Sequence, residues 1–168
     1  MIQVKRLGHA TFTTPDLEQQ LAYWTQVIGL SVVARDKDSA ILATKLGQEC
    51  IALERAPEQG ELRRIAFQVA PGSDLGELAH KLQAAGVKSE RRSGITPGVK
   101  DAIAFHDPKG TRIEVFAEYE FAPDDGSEQG ISPLKFGHVA YRVKDVQKIT
   151  SFYCDILGFR VSDWMGDH

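Results

Sequence analysis

The chain contains few of the residues that build disulfide frameworks or metal clusters. Only two of its 168 residues are cysteines, and Cys50 and Cys154 lie far apart, in no metal-ligand spacing. Isolated cysteines of this kind are typical of buried free thiols in a reducing compartment. No apolar run approaches membrane-spanning length, and the first residues, MIQVKRLGH, lack the apolar segment of a signal peptide. We therefore expect a cytoplasmic protein with no membrane partner.

An excess of positive charge is also missing. The 20 Lys and Arg residues stand against 23 Asp and Glu residues, which gives a net charge of −3. This balance carries no electrostatic signal for nucleic-acid binding. With 42% hydrophobic and 26% charged residues, the composition is that of an ordinary globular protein.

The chain does contain an internal repeat. Leu7–Val33 aligns without a gap with Phe136–Ser162, at an offset of 129 residues (138 − 9). A period this long indicates a duplicated domain rather than a solenoid. The identical pairs are Gly8/Gly137, His9/His138, Asp16/Asp145, Gly29/Gly158 and Val32/Val161. Because the second copy stops after about a quarter of the first, we expect this chain to be the front part of a longer protein.

The first copy is predicted to contain two βαβββ modules. In the first module, a strand at Val4–Thr13 precedes a helix with Thr14 as its N-cap and Pro15 in its first turn, ending at Gly29. The buried stripe of this helix is predicted at Leu17, Leu21, Trp24 and Ile28, and Tyr23 is also expected in the core. Three strands should follow, at Leu30–Asp36, Ala40–Lys45 and Glu49–Arg55.

The second module repeats this order. A strand at Leu62–Val69 precedes a helix that is capped by Ser73 or Asp74 and ends at Gly86. The predicted elements that follow are a short strand at Val87–Arg91, a loop at Ser93–Lys100, and a hairpin of Ala102–His106 and Thr111–Ala117 around a type I turn at Asp107–Gly110.

The composition then predicts the domain boundaries. Residues 1–121 form the first domain, and residues 122–133, rich in Pro, Gly and polar side chains, form a linker. Asp124, Asp125 and Glu128 are expected to be solvated there. Residues 134–168 form the start of a second domain, with a strand at Leu134–Val143 and a helix at Val146–Leu157. We expect this segment either to pack on the first domain or to exchange with another copy, since its apolar faces lack their own strands.

The chain resembles the vicinal oxygen chelate superfamily, which includes glyoxalase I, bleomycin-resistance proteins and type I extradiol dioxygenases. The resemblance rests on the two Gly-His strand starts, on IAFQV at Ile65–Val69 and on FHDPKGTRIEVF at Phe105–Phe116. It implies an α+β fold in which paired βαβββ modules form a curved mixed sheet. Two-domain extradiol dioxygenases are the most similar members. Their second cup holds Fe(II), less often Mn(II), with two His and one Glu, and they cleave a catechol-type diol with dioxygen.

On this resemblance His138 is a metal ligand of the complete protein, because it occupies the first ligand position of the second copy. The equivalent positions of the first copy are His9, Arg64 and Glu114. A guanidinium has no lone pair to offer a metal, so we expect the first domain to be metal-free. Arg64 should instead pair with Glu114, and His9 should hydrogen-bond nearby.

His80 and His106 are expected at the surface, and His168 has nothing after it to form a site.

Three functions stay open. The leading one is an Fe(II)-dependent extradiol dioxygenase of which this chain is the N-terminal part, inactive alone, in a homo-oligomer. The second is a glyoxalase- or epimerase-like metalloenzyme assembled as a dimer, with His9 and Glu114 on the metal. The third is a metal-independent binding module of the bleomycin-resistance type. The aromatic substrate is not predictable, because its pocket would lie in the second domain.

Overall fold

The first copy folds into one eight-stranded mixed sheet. The structure is a computed structural model that describes residues 2–57, 60–123, 126, 129–140 and 142–166. The strand order is β2-β3-β4-β1-β5-β8-β7-β6. The strands are β1 (Val4–Thr14), β2 (Ser31–Arg35), β3 (Ser39–Ala43), β4 (Glu49–Arg55), β5 (Leu62–Val69), β6 (Ser89–Thr96), β7 (Val99–His106) and β8 (Arg112–Phe116). The helices are α1 (Leu17–Ala22), which continues as a π-helical segment (Tyr23–Ile28), α2 (Leu75–Ala84) and α3 (Val146–Leu157).

The sheet has an internal two-fold pattern that confirms the two βαβββ modules. Strands β1 and β5 pair antiparallel at its centre, with Ala10 opposite Ile65. On either side each of them pairs parallel with the last strand of its own module, β1 with β4 and β5 with β8. The first and second modules therefore contribute the two halves of a single sheet.

The helix ends follow the repeat. Asp16 caps α1 by accepting a hydrogen bond from the Gln19 amide at 2.9 Å, and Asp145 caps α3 through the Lys148 amide at the same distance. The predicted Thr14 cap is wrong because Thr14 is still in β1, and its hydroxyl accepts from the Asp16 amide instead. Both helical segments end at a glycine in the left-handed region, Gly29 and Gly158.

The helices cover one face of the sheet over two buried clusters. The first lies under α1 and consists of Leu17, Leu21, Leu30, Ala40, Leu42, Cys50, Ile51 and Leu53. The second lies under α2 and α3 and includes Ile65, Phe67, Val69, Leu78, Leu82, Ile103, Phe105, Ile113, Val115, Tyr153 and Leu157. Burial of these side chains is the main favourable term for folding, at about 25 cal/mol per Å² of apolar surface. Tyr23, predicted as core, is 47% exposed and is not part of either cluster.

The hairpin of β6 and β7 extends further than predicted. Residues 93–96 belong to β6 rather than to a loop, and the strand begins at Ser89 rather than Val87. Pro97 and Gly98 make a tight turn between Thr96 and Val99, with φ 76° at Gly98, a value that glycine adopts without strain. The predicted turn at Asp107 is confirmed, since the Gly110 amide donates to the Asp107 carbonyl at 2.8 Å.

The second copy forms its helix but not its strand. The predicted strand at Leu134–Val143 is wrong for residues 134–140 and 142–143, which have no ladder partner. In contrast α3 has the predicted bounds, and it packs on the first copy, with Leu157 fully buried there. In this structure the segment packs on its own chain. Asp124, Asp125, Glu128 and His168 lie outside the described residues.

The expected linker is attached to the first copy where the structure describes it. The amides of Ile131 and Ser132 donate to the carbonyls of Val27 and Ile28 at 3.2 and 2.9 Å. A Cβ on Gly29 would approach the Gln129 carbonyl oxygen to 2.0 Å, so this close crossing requires glycine. Among the residues described, no helix is long and apolar enough to span a bilayer.

The repeat supplies a matched test of packing at its two Gly-His starts. A Cβ on Gly8 would lie 2.7 Å from the Phe116 ring, whereas a Cβ on Gly137 would meet nothing within 4 Å. We expect Gly8→Ala to lower the free energy of unfolding by roughly 1–3 kcal/mol through overpacking. Gly137→Ala should change it by less than about 0.5 kcal/mol. Urea unfolding followed by circular dichroism measures both, and equal effects would contradict the packing argument.

Candidate functional site

The candidate ligands of the first copy lie on the sheet face opposite the helices. Ile65, Ile113 and Val115 point toward α2, so the alternate residues Arg64 and Glu114 point to the other face. Ala10 is paired with Ile65, which puts its neighbours His9 and Thr11 on the face of Arg64. The sequence-predicted trio is therefore brought to one surface, the inner face of the sheet.

The two-fold pattern defines two pairs of equivalent positions on this inner face. His9 precedes Ala10 as Arg64 precedes Ile65, so His9 and Arg64 are equivalent. Thr11 pairs with Ala52, and its equivalent Ala66 pairs with Glu114, so Ala52 and Glu114 are also equivalent. Two of the four positions, Ala52 and Arg64, carry no side chain that can ligate a metal.

Arg64 fills the centre of the inner face. Its Nη1 lies 3.3 Å from Oε1 of Glu114, and its Nε donates to the Thr11 hydroxyl at 3.1 Å. Glu54 lies 3.9 Å from Nη2 of Arg64, and Nε of Arg112, the register partner of Arg64, lies 3.6 Å from Oε1 of Glu114. The predicted Arg64–Glu114 pair is confirmed. The Glu114 carboxylate, 2% exposed, is held by cations of the protein itself.

His9 is buried without the hydrogen bond that was predicted for it. The residue is 2% exposed, and neither ring nitrogen has a partner among the described residues. Burial, followed by the positive charge of Arg64, lowers the pKa of His9 to about 3. The imidazole is therefore neutral at physiological pH, and the prediction of a nearby hydrogen bond is wrong.

Glu49 is a buried carboxyl group that the sequence reasoning missed. It begins β4 and is 2% exposed, and its Oε2 has no partner among the described residues. Burial raises the pKa of Glu49 to about 8. One feature of the sequence could have indicated its burial: Glu49 begins the strand Glu49–Arg55, and the next four residues of that strand are apolar.

The chain after β8 covers one end of the inner face. The Glu120 amide donates to the Gly98 carbonyl at 2.9 Å, and the Ala122 amide donates to the Gly47 carbonyl at 3.0 Å. Between them, the Tyr119 hydroxyl accepts from the Glu49 amide at 2.7 Å. This segment thus joins the turn of β6–β7 to the turn of β3–β4, across the sheet.

His138 lies on the other side of the sheet, away from the trio. It is exposed and lines a cavity of about 780 Å³ between the start of β1 and the second-copy segment. The cavity is lined by apolar side chains that include Leu7, Phe67, Val139, Ile149, Tyr153 and Phe159. The structure does not bring His138 together with His9, Arg64 or Glu114. His80 and His106 are exposed, as predicted.

No metal-binding cluster is formed within the described part of the chain. Over those residues, no group of three or more His, Cys, Asp or Glu side chains is close enough to hold an ion. The first copy has the strand positions of a metal site but an arginine in place of one ligand.

Comparison with known protein families identifies this arrangement. The family model described as "Glyoxalase/Bleomycin resistance protein/Dioxygenase superfamily" matches residues 6–115 and again residues 135–166. The chain belongs to this superfamily. The second match begins at the repeat that contains His138, so both copies of the repeat seen in the sequence match the same family model.

The chain spans a little over half the length of the curated relatives it matches. Biphenyl-2,3-diol 1,2-dioxygenase from Paraburkholderia xenovorans (strain LB400) is 28% identical over 184 aligned residues, covering 96% of this chain and 57% of the relative. Among solved structures, the Mn(II)-bound glyoxalase from Novosphingobium aromaticivorans is 28% identical, with a TM-score of 0.84 over 99% of this chain and 57% of that one.

A second solved structure supports the fold alone. The 2,3-dioxygenase from Pseudomonas sp. KL28 has a TM-score of 0.83 at 23% identity, over 94% of this chain and 60% of its own. This match and the eight-stranded mixed sheet confirm the α+β fold predicted from the sequence.

Arg64 can be tested as the residue that prevents metal binding in the first copy. We expect Arg64→His to bind one Co(II) per chain through the new imidazole, His9 and Glu114, whereas the unmodified protein binds none at this face. The charge-transfer and d–d bands of Co(II) measure this. Arg63→His, at the exposed neighbouring position, is the matched control. Equal binding by both variants would show that the inner face is not the site.

Glu49 should make stability depend on pH. Its pKa in the folded protein lies above the ordinary value of 4.5, so its contribution to the free energy of unfolding is fully present below about pH 4.5. This contribution is lost as the pH rises through about 8. The expected loss is on the order of a few kcal/mol. Glu49→Gln should remove this decline between about pH 4.5 and 8, in urea unfolding at each pH, and Glu61→Gln at an exposed site should not.

Proposed function

We propose that this chain is the N-terminal part of a metal-dependent extradiol dioxygenase that opens a catechol-type aromatic diol with dioxygen. The observation that carries the proposal is the restart of the Gly-His strand motif at Gly137 and His138, after a complete first domain. The biphenyl-2,3-diol dioxygenase relative aligns with nearly all of this chain through just over half of its own length, which supports the same two-domain organisation.

The domain boundaries belong to this proposal. Residues 1–121 are the first domain, residues 122–133 the linker, and residues 134–168 the beginning of a second domain. The hydrogen bonds from Glu120 to Gly98 and from Ala122 to Gly47 support an end of the first domain close to residue 121.

The metal of the complete protein is Fe(II) in this proposal, with Mn(II) as the alternative. His138 is one ligand, and its exposed imidazole is compatible with that role. A bound divalent ion would supply adjacent positions for the diol oxygens and for dioxygen. Among the described residues, no group of three or more His, Cys, Asp or Glu side chains forms around His138, so the 168-residue chain is expected to be inactive alone.

The first domain has a structural role in this proposal. Arg64 occupies the inner face at a ligand position and pairs with Glu114, so no metal is needed there. This arrangement disfavours the glyoxalase- or epimerase-like alternative with His9 and Glu114 as ligands. The likeness to a Mn(II)-bound glyoxalase keeps glyoxalase chemistry as the second candidate, with its site in the second domain. A homo-oligomer in the cytoplasm remains a prediction.

The test begins with the intact mass of the protein as its own cells make it. A mass near twice that of this chain supports the proposal, and a mass matching 168 residues overturns it. In the complete protein, we expect His138→Ala to abolish ring cleavage of 2,3-dihydroxybiphenyl and catechol, followed by absorbance of the ring-opened product, and to lower bound metal at least tenfold. His106→Ala, at an exposed site, should retain both.

Two outcomes separate the candidates. Full metal content in His138→Ala would show that His138 is not a ligand. Metal binding without ring cleavage, together with turnover of a methylglyoxal–glutathione adduct, would replace the dioxygenase with a glyoxalase.

A further inference from the structure

The second-copy helix is joined to the first domain by a buried polar contact. The Tyr153 hydroxyl on α3 donates a hydrogen bond to Oδ2 of Asp107 at 3.1 Å. Tyr153 is 9% exposed and Asp107 is 4% exposed, so water has little access to either group. A hydrogen bond to a carboxylate in such surroundings is stronger than one between neutral groups.

The acceptor is held in place by its own turn. Oδ1 of Asp107 accepts from the amides of Lys109 and Thr111 at 3.0 and 2.8 Å, and the Asp107 amide donates to the Thr111 carbonyl at 3.0 Å. The carboxylate is thereby fixed relative to β7 and β8, and its second oxygen is directed to α3.

The first copy uses the equivalent position differently. Trp24 aligns with Tyr153, and its indole donates to Gln20 within the same helix at 3.2 Å. The counterpart of Gln20 in the second copy is Ile149, which offers no acceptor. The donor of the second copy therefore reaches across to the first domain rather than along its own helix.

Around this bond, α3 packs on the first domain through apolar side chains, and these contacts do not select one orientation by themselves. Tyr153 packs edge-on against Phe67 and Phe159, with ring centroids 6.1 and 5.3 Å apart. Val139, next to His138, packs against the same cluster. Apolar contact is non-directional, whereas a hydrogen bond weakens steeply with angle. The Tyr153–Asp107 bond is therefore a directional contact that favours one rotation of α3 over its neighbours.

We propose that Asp107 and Tyr153 set the orientation of the second-copy segment on the first domain and thereby position His138. Both are positioning residues, acting through α3 and Val139. The step to His138 rests on the proposed function, but the docking of α3 does not. The first domain, without a metal of its own, would thus contribute to the geometry of the site in the second.

The first test uses the 168-residue chain. We expect Tyr153→Phe, which keeps the ring but removes the donor, to accelerate hydrogen exchange of the α3 amides about tenfold, the effect of losing one hydrogen bond to a charged group. Tyr23→Phe, at an exposed tyrosine, is the matched control and should leave α3 exchange unchanged. Less than a twofold change in Tyr153→Phe would overturn the proposal.

A double-variant cycle assigns the effect to this pair. In an Asp107→Ala background, adding Tyr153→Phe should change α3 exchange less than twofold, since its acceptor is already gone. An undiminished effect of Tyr153→Phe in that background would show that the hydroxyl acts on another group and would also overturn the proposal.

The second test uses the complete protein and separates this inference from the proposed function. We expect Tyr153→Phe to shift the Co(II) d–d spectrum and to weaken metal binding at least fivefold, while Tyr23→Phe does neither. An unchanged spectrum beside accelerated α3 exchange would overturn the step to His138. A complete protein that binds no metal would refute the proposed function, and the exchange result would still decide the docking of α3.

Discussion

The antiparallel pairing of β1 with β5 is the constraint on which the rest of this structure depends. It joins two βαβββ modules into one sheet, and the pair Ala10–Ile65 at its centre relates them by a two-fold pattern. From that register follows the equivalence of His9 with Arg64, and of Ala52 with Glu114. It also separates the faces, so that the helices cover one side and the candidate ligands converge on the other.

The inner face shows how one residue decides between metal and ion-pair chemistry. A metal site at these positions would need several neutral or anionic ligands, and Arg64 is a permanent cation. Its pairing with Glu114 compensates the charge of a buried carboxylate, and leaving such a charge without its partner typically costs about 3–5 kcal/mol. Burial away from water, followed by the charge of the same cation, lowers the pKa of His9 and keeps it neutral. The first copy thus retains the geometry of the superfamily without the ligand set of a metal site.

The two copies of the repeat have the same helix ends and different surroundings. Asp16 and Asp145 cap their helices alike, and Gly29 and Gly158 end them alike, because these are local interactions. The aligned aromatic residues Trp24 and Tyr153 differ because their partners are set by what each helix packs on. The sheet beneath α1 belongs to its own module, whereas α3 lies on a domain that precedes it in the chain.

The sequence by itself determined the elements whose signals are local, together with the duplication and the superfamily fold. Strands β4 and β5 and helix α3 have the predicted bounds because apolar periodicity, caps and glycine stops lie within a few residues of each other. The Arg64–Glu114 pair was predictable only through an aligned pattern. Tertiary structure alone decided the burial of His9 and Glu49, because both depend on how residues far along the chain cover the sheet. It also decided that residues 134–140 form no strand and that Tyr153 binds Asp107, since a strand needs a neighbour and a buried hydroxyl needs an acceptor.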